Sequence, residues 1–472
     1  MQLENRKEIE ESIIFNLGFN PTDNQASTIV KFSEFLFSEN KFELFLLSGF
    51  AGTGKSSLVA AMVKTLRGNQ IKTRLLAPTG RAAKVLANFS NEHAFTIHKQ
   101  IYFSGNEVAG QKVTLAKNLF KNTFFFVDEA SMIGGLDSTE GFNLLEDLLN
   151  YVYSGENCKL IVLGDRGQLP PVGQEDSPAL SVDYLNQNYS RIHVIQATLS
   201  EVVRINNQSS VLTNASYLRT IEEYQTPLIL ITDSKQTIRI DGLELKEKLE
   251  SSYSQVGMDE TILLTLSNKR ANRWNHEIRN RILYREELVE RGDILMVVKN
   301  NYHWLDPKSN IGFIANGELV KVKRVLQSEQ IYGFNFTHLE LSFIDYPDES
   351  DLRIIALTDS INAESPNLSR DKMKELFFAV EKDYLHERNK QKRYQLILKN
   401  PYFNAVQVKY AYAVTVHKAQ GGQWSHVYID YGFIPDEMKN KNYLKWLYTS
   451  ITRSTDKIYL LGFPDELIQD ND

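Results

Sequence analysis

Uninterrupted apolar runs punctuate the first part of the chain, and each breaks off in glycine, proline or acidic residues. Residues 43–47, 73–77, 123–127 and 160–163 have the length and character of strands buried on both faces of a parallel sheet. After the first run Leu58, Met62, Val63 and Leu66 recur at helical spacing. Before it, Thr22-Asp23-Asn24-Gln25 followed by Ile29, Val30 and Phe37 predicts a helix with a capped start. Strands alternating with helices are the pattern of an α/β unit. The pattern changes near 199–204, and strand-like runs at 261–266 and 427–430 predict a second such unit. Between those two runs lie short β-type stretches at 292–298 and 316–322, the second opened by Asn316-Gly317, which predict a small barrel. A charged helical segment follows at 371–399, so barrel and helix read together as an insertion. Residues 102–122 carry turn signals at Ser104-Gly105-Asn106 and Ala109-Gly110 and read as a small hairpin inserted into the first unit.

At 472 residues the chain is too long for one core, in keeping with two or more domains. Its 42% hydrophobic and 24% charged content is ordinary for a globular protein. A net charge of −6 means that any nucleic-acid site is a local groove, not a property of the bulk surface. The single cysteine, Cys158, excludes an intramolecular disulfide and a cysteine-rich zinc site, and fits a reducing compartment. No apolar leader core and no run long enough to cross a bilayer is seen, so a cytoplasmic protein without membrane contact is expected.

The chemistry sits where the apolar runs end. Gly49-Phe50-Ala51-Gly52-Thr53-Gly54-Lys55-Ser56 fits G-x-x-x-x-G-K-[ST] between a strand and a helix, with Ser57 next in the helix. Glycines let successive N–H groups turn inward on a phosphate, Lys55 reaches the β/γ-phosphates, and Ser56 offers a hydroxyl to Mg²⁺. These features predict a nucleoside triphosphatase. Gln25 has two readings, the partner of Thr22 in a capping box or an amide that reads an adenine edge, and the pattern favours neither. Pro78-Thr79-Gly80-Arg81, followed by Lys84, is a strand-to-helix corner that suits a phosphodiester, although Arg81 and Lys84 also fit an ordinary solvated helix face. Asp128-Glu129 directly after a buried strand suits a metal-shell carboxylate and a water-polarising one. Asp165 and Gln168, on a loop fixed by Gly164, Pro170 and Pro171, suit sensing of a γ-phosphate. No periodicity accounts for Thr415, His417 and Lys418 beside Gln420-Gly421-Gly422, or for Arg453.

Taken together, GFAGTGKSS, APTGRAAK, TIHK, FFFVDEASM, GDRGQLPPV, LSEVVRI, VTVHKAQGGQW and LYTSITRS resemble, in order, the motifs of a superfamily 1 helicase of the 5′-to-3′ branch, with its RecD-like and Dda-like enzymes. The resemblance spans Gln25 to Arg453. It implies an α/β fold of two RecA-like parallel-sheet domains: a first over 1–197 with a wedge hairpin at about 101–122, and a second over 198–290 and 405–472. An SH3-like barrel and helical segment would be inserted at 291–404. It implies ATP and Mg²⁺ as cofactors, with Lys55, Asp128, Glu129, Gln168, Arg204 and Arg453 catalytic and Ser56 and Asp128 holding the metal. Gln25, Gly49, Ala51, Gly52, Thr53, Gly54, Lys55, Ser56, Ser57 and Gly421 would bind the nucleotide. Pro78, Thr79, Lys84, Thr96, His98, Thr415, His417 and Lys418 would contact DNA. The implied partner is single-stranded DNA at duplex junctions, the implied state a monomer, and the implied activity ATP-dependent unwinding in replication, recombination or repair. A nucleic-acid-stimulated ATPase that clamps without unwinding, or an RNA helicase, are the competing readings. One departure is Gln423, where UvrD-like helicases usually carry an acidic residue.

Overall fold

The computed structural model describes residues 5–102, 114–135, 143–202, 209–221, 228–233, 235–305, 311, 313–432, 434–435 and 439–470. Its first sheet comprises β1 (Glu43–Gly49), β2 (Lys72–Ala77), β3 (Ala94–Thr96), β4 (Thr123–Val127), β5 (Lys159–Gly164) and β6 (His193–Leu199). The order is β3-β2-β4-β5-β1-β6 and every pair is parallel. All residues of β1, β4 and β5 are buried, because both faces are covered. Alternation sorts their side chains: Phe45, Leu47, Phe124 and Phe126 join the core under α1 (Arg6–Leu17), α2 (Asp23–Phe37) and α3 (Lys55–Gly68). Leu44, Leu46, Phe125 and Val127 face the other core, toward α5 (Ile97–Ile101), α6 (Leu144–Ser154) and α7 (Val182–Asn188), while α4 (Gly80–Ser90) packs beside α3 and sends Leu86 into the first core. The inserted hairpin expected at 101–122 lies largely outside the described residues; at its base Tyr102 bridges Leu115 in antiparallel fashion. β6 continues to Leu199, two residues beyond the expected edge of the first unit, because it pairs with β1 along its whole length.

The second unit begins with α8 (Ser210–Thr220), β7 (Leu230–Thr232), β8 (Thr237–Ile240), α9 (Leu245–Gln255), β9 (Thr261–Thr265) and α10 (Asn268–Glu277). The chain then leaves for a closed barrel of β10 (Ile294–Val297), β11 (Leu319–Ile331), β12 (Phe334–Phe343), β13 (Leu352–Leu357) and β14 (Val406–Tyr410). β10 closes it by pairing with both β11 and β14. The insertion was expected to end at 404, but the barrel runs on to Tyr410 because its fifth strand is the returning one. The hairpin between β11 and β12 turns at Tyr332-Gly333, both at positive φ (58° and 80°), as a two-residue turn of this kind requires. In place of one helical segment at 371–399 there are two helices, α11 (Arg370–Glu381) and α12 (Lys390–Lys399).

Past the barrel come β15 (Ala413–Thr415), α13 (Val416–Ala419), β16 (Trp424–Asp430), α14 (Lys441–Ile451), β17 (Ser454–Leu461) and β18 (Ile468–Asp470). They complete a second parallel sheet, β15-β9-β16-β17-β8, with β18 pairing β7 beside it. Two parallel α/β sheets, a two-stranded pair and one small barrel with its helices therefore make up the described chain. No helix among the described residues is long and apolar enough to cross a membrane.

Candidate nucleotide and nucleic-acid site

The phosphate loop joins β1 to α3. Gly52 and Gly54 sit at φ 78° and 76°, which glycine adopts without the Cβ clash that other residues meet. Gly54 is the N-cap of α3, so Lys55, Ser56 and Ser57 form its first turn, where backbone N–H groups have no helical acceptor. Thr53 holds the loop in shape by donating from Oγ1 to the Phe50 carbonyl at 2.8 Å. Lys55 Nζ lies 4.0 Å from Asp128 Oδ1. A cation, a helix start and a carboxylate thus meet at the C-terminal ends of β1 and β4, the two strands that flank β5, a donor set that fits a metal-bound triphosphate.

β4 is followed directly by Asp128 and Glu129. Asp128 Oδ1 accepts from the Glu129 backbone N–H at 2.8 Å, and Glu129 takes φ 52°, a left-handed conformation unusual for glutamate and frequent at functional sites. Burial pushes the Glu129 carboxyl above its usual range, the Arg453 charge opposes this, and Asp128 adds to the rise. Arg453 Nη1 stands 4.0 Å from Glu129 Oε1. Gln168 fits between them: with its amide oriented by hydrogen-bond chemistry, its nitrogen donates to Glu129 Oε2 at 3.2 Å and its oxygen accepts from Arg453 Nη2 at 3.0 Å. Arg453 follows α14 and belongs to the second sheet, so the group spans both units. Arg204, expected as a second arginine here, lies outside the described residues.

Gln25 is fully buried, and its amide is engaged on both sides. Oε1 accepts from the Thr22 N–H at 3.1 Å to complete the capping box, while Nε2 donates to the Thr53 carbonyl at 3.2 Å. The geometry realises the capping reading and ties α2 to the phosphate loop; one amide N–H and one lone pair remain for a base edge. Two residues not assigned from the motifs, Tyr448 and Arg219, also face this cleft. The Tyr448 hydroxyl donates to Asp165 Oδ2 at 2.6 Å and accepts from the Ala51 N–H at 2.9 Å. Arg219, on α8, places its guanidinium 4.8 Å from the Phe50 ring centroid and donates to the Ser200 carbonyl at 3.2 Å. These contacts join stretches far apart in the chain and leave no local pattern.

The residues expected at DNA sit at sheet edges. Thr79 follows β2 and caps α4 through the Ala82 N–H at 3.2 Å; Thr96 ends β3 and caps α5 through the Lys99 N–H at 3.2 Å. Thr415 ends β15, the edge strand of the second sheet, and starts α13 with His417 and Lys418. Gly421, at φ 75°, packs against α4: a Cβ there would come within 2.7 Å of Ala82 Cβ and 3.1 Å of Thr79 Oγ1. Arg81 Nη2 donates to the Gln423 carbonyl at 2.7 Å and its guanidinium lies 4.0 Å from the Trp424 ring centroid, so the α4 start is stitched to the second unit. Lys84 turns toward the barrel, donating to the Ile344 carbonyl at 3.2 Å with Asp345 Oδ1 at 3.6 Å. Burial lowers the pKa of His98 to about 4 and that of Lys418 to about 8, so His98 is a neutral ring near neutrality and Lys418 keeps most of its charge.

Residues 34–174 match the AAA domain family and residues 410–461 match the UvrD-like helicase C-terminal domain. The uncharacterized protein R530 of Acanthamoeba polyphaga mimivirus is 25% identical, covering 93% of this chain and 98% of its own. The RecBCD enzyme subunit RecD of Buchnera aphidicola subsp. Schizaphis graminum is 23% identical over 90% of this chain and 71% of its own. The ATP-dependent DNA helicase dda of Enterobacteria phage T4 is 24% identical over 58% of this chain and 62% of its own.

Proposed function

We infer that the chain is a superfamily 1 helicase of the RecD-like and Dda-like 5′-to-3′ branch, which hydrolyses ATP to move along single-stranded DNA and separate duplex ahead of it. The observation that carries the reading is the group formed by Lys55, Asp128, Glu129 and Gln168 on the first sheet with Arg453 from the second. Lys55 and the first-turn amides of α3 bind the β- and γ-phosphates, and Ser56 and Asp128 are the residues that would hold Mg²⁺. The ion, when bound, neutralises phosphate charge and fixes the phosphate oxygens. Glu129, held against Gln168, orients the attacking water and accepts its proton. Arg453 and Gln168 meet the charge that develops on the transferring phosphoryl group.

Arg453 reaches that charge only from the second unit, so hydrolysis is tied to how closely the two sheets approach. Thr79, Thr96 and His98 lie on one unit and Thr415, His417 and Lys418 on the other, and their spacing changes with that approach. Threonine hydroxyls, lysine and backbone N–H groups hold phosphates without reading sequence, and a neutral imidazole offers a stacking face. Movement along a strand follows from grips that alternate.

Unwinding of duplexes bearing only a 5′ or only a 3′ single-stranded tail, of DNA or RNA, tests the reading. Strand displacement with ATP from the 5′ DNA tail is expected. Displacement from the 3′ tail alone overturns the polarity, a preference for RNA tails overturns the DNA assignment, and DNA-stimulated ATPase without displaced strand leaves an ATP-driven clamp.

A further inference from the structure

Asp165 and Tyr448 meet across the cleft from different sheets. Asp165 follows β5, Tyr448 lies in α14, and both side chains are buried. One Asp165 oxygen accepts from the Gly167 N–H at 2.8 Å and the other from the Tyr448 hydroxyl at 2.6 Å. The hydroxyl's remaining acceptor capacity is taken by the Ala51 N–H at 2.9 Å, inside the phosphate loop. Gly167 makes room for this arrangement, since a Cβ there would come within 3.0 Å of Tyr448 Cε1. A phenol can donate and accept at once, and a phenyl ring of the same shape can do neither.

Tyr448 is one of a row on α14. Lys445, Tyr448 and Thr449 share a helix face by their spacing. Lys445 Nζ donates to Asp176 Oδ1 at 2.8 Å and the Glu175 carbonyl at 3.1 Å, and Thr449 Oγ1 accepts from the Leu169 N–H at 2.9 Å. These three side chains grip the loop after β5, and of them Tyr448 also grips the phosphate loop. Arg453 hangs from the same helix: its Nε donates to the Thr449 carbonyl at 3.1 Å while its Nη groups face Glu129 and Gln168.

We propose that Tyr448 is a positioning residue for phosphoryl transfer, its hydroxyl tying α14 to Ala51 and Asp165 so that docking of the second sheet on the phosphate loop and placement of Arg453 are one event. The inference rests on the nucleotide-hydrolysis reading above. It gives Asp165 a role as the fixed acceptor for Tyr448, which the motifs alone did not assign. Tyr448 makes no bond to the reacting atoms and acts through the arginine.

The test is a double-mutant cycle on the full chain, with ATPase rates measured at saturating single-stranded DNA. Tyr448→Phe is expected to lower kcat about 10-fold, since small misplacements of a transition-state group cost rates of that order or more, with KM for ATP within about threefold. Arg453→Ala lowers kcat further, and adding Tyr448→Phe to it costs no more than about twofold, because the hydroxyl has lost the group it positions. A wild-type kcat in Tyr448→Phe with a lowered melting temperature makes the contact a structural clasp and overturns the proposal. So does a double variant whose loss is the product of the single losses. If Tyr448→Phe does not fold, Asp165→Ala, which leaves the phenol in place, takes its position in the cycle with the same two outcomes. Lys55→Ala separates the levels: full activity in that variant removes the hydrolysis reading itself, whereas a dead Lys55→Ala beside an unaltered Tyr448→Phe removes only the positioning role.

Discussion

Lys55 and Asp128 face each other at 4.0 Å with little exposure, at the outer limit of an ion pair. Lys55→Ala is expected to lower the DNA-stimulated ATPase rate by at least about 100-fold, the scale of losing one preorganised charge-stabilising donor. Stimulated phosphate release at wild-type rate would remove Lys55 from the site. Glu129 carries a pH prediction. It must be ionised to accept a proton from water, and burial raises its pKa, so activity is lost as pH falls through a value above the ordinary glutamate range of about 4.3. Glu129→Gln is expected to bind ATP yet turn over roughly 10²–10⁴-fold more slowly, read by nucleotide binding alongside single-turnover hydrolysis. The loop from Gly49 to Ser56 was legible because its chemistry is contiguous, and Asp128-Glu129 because a buried strand aims them. Gln25 was legible only as two alternatives, since a capping glutamine and a base-reading one share a position. Tyr448 and Asp165 were not legible as a pair: 283 residues separate them, and a phenol in an apolar helix face reads as core.

At the scale of elements, α4 is where the units meet. Its first turn touches Gly421, its Arg81 stacks on Trp424, and its Lys84 reaches the barrel. Arg81→Ala removes a hydrogen bond to the Gln423 carbonyl and a cation–π contact of about 0.5–2 kcal/mol. Because that contact joins the helix proposed to contact DNA to the second sheet, the variant is expected to keep its basal ATPase and lose severalfold in stimulation by single-stranded DNA. Equal loss with and without DNA would make Arg81 a matter of stability alone. The elements differ in how openly the sequence declares them. β1, β4 and β5 are apolar from end to end because helices cover both faces. β6 carries exposed His193, Gln196 and Thr198 at the sheet edge, and β17 opens with the polar Ser454-Thr455-Asp456-Lys457, so neither forms a continuous apolar run. Barrel closure by β14 was hidden for another reason: strand partners about 110 residues apart are set by pairing, which periodicity does not encode.

Across the whole molecule, the barrel is held to the first sheet by buried charge. Glu318 and Asp345 face the start of α4, where Lys84 Nζ lies 3.6 Å from Asp345 Oδ1 and a Cβ on Gly80 would come within 1.9 Å of Glu318 Oε1. Among the described residues Glu318 Oε2 has no hydrogen-bond partner, and the side chain is 2% exposed. Burial first, then the Asp345 charge, raises its pKa from 4.5 to about 8, against the opposing pull of Lys84, with the Tyr346 phenol close by. The fold therefore holds a proton on Glu318 that the unfolded chain releases near 4.5. That contribution to stability is fully present below about 4.5 and is lost as pH rises through about 8. Glu318→Gln is neutral at every pH and keeps the shape of the side chain. The melting temperature of the variant minus that of the wild type is expected to grow from pH 5 to pH 8 by a few degrees or more and then to level off. A difference that stays flat across that range would mean that Glu318 is already ionised at pH 5 and that the barrel rests on α4 through Lys84 and Asp345 without a bound proton.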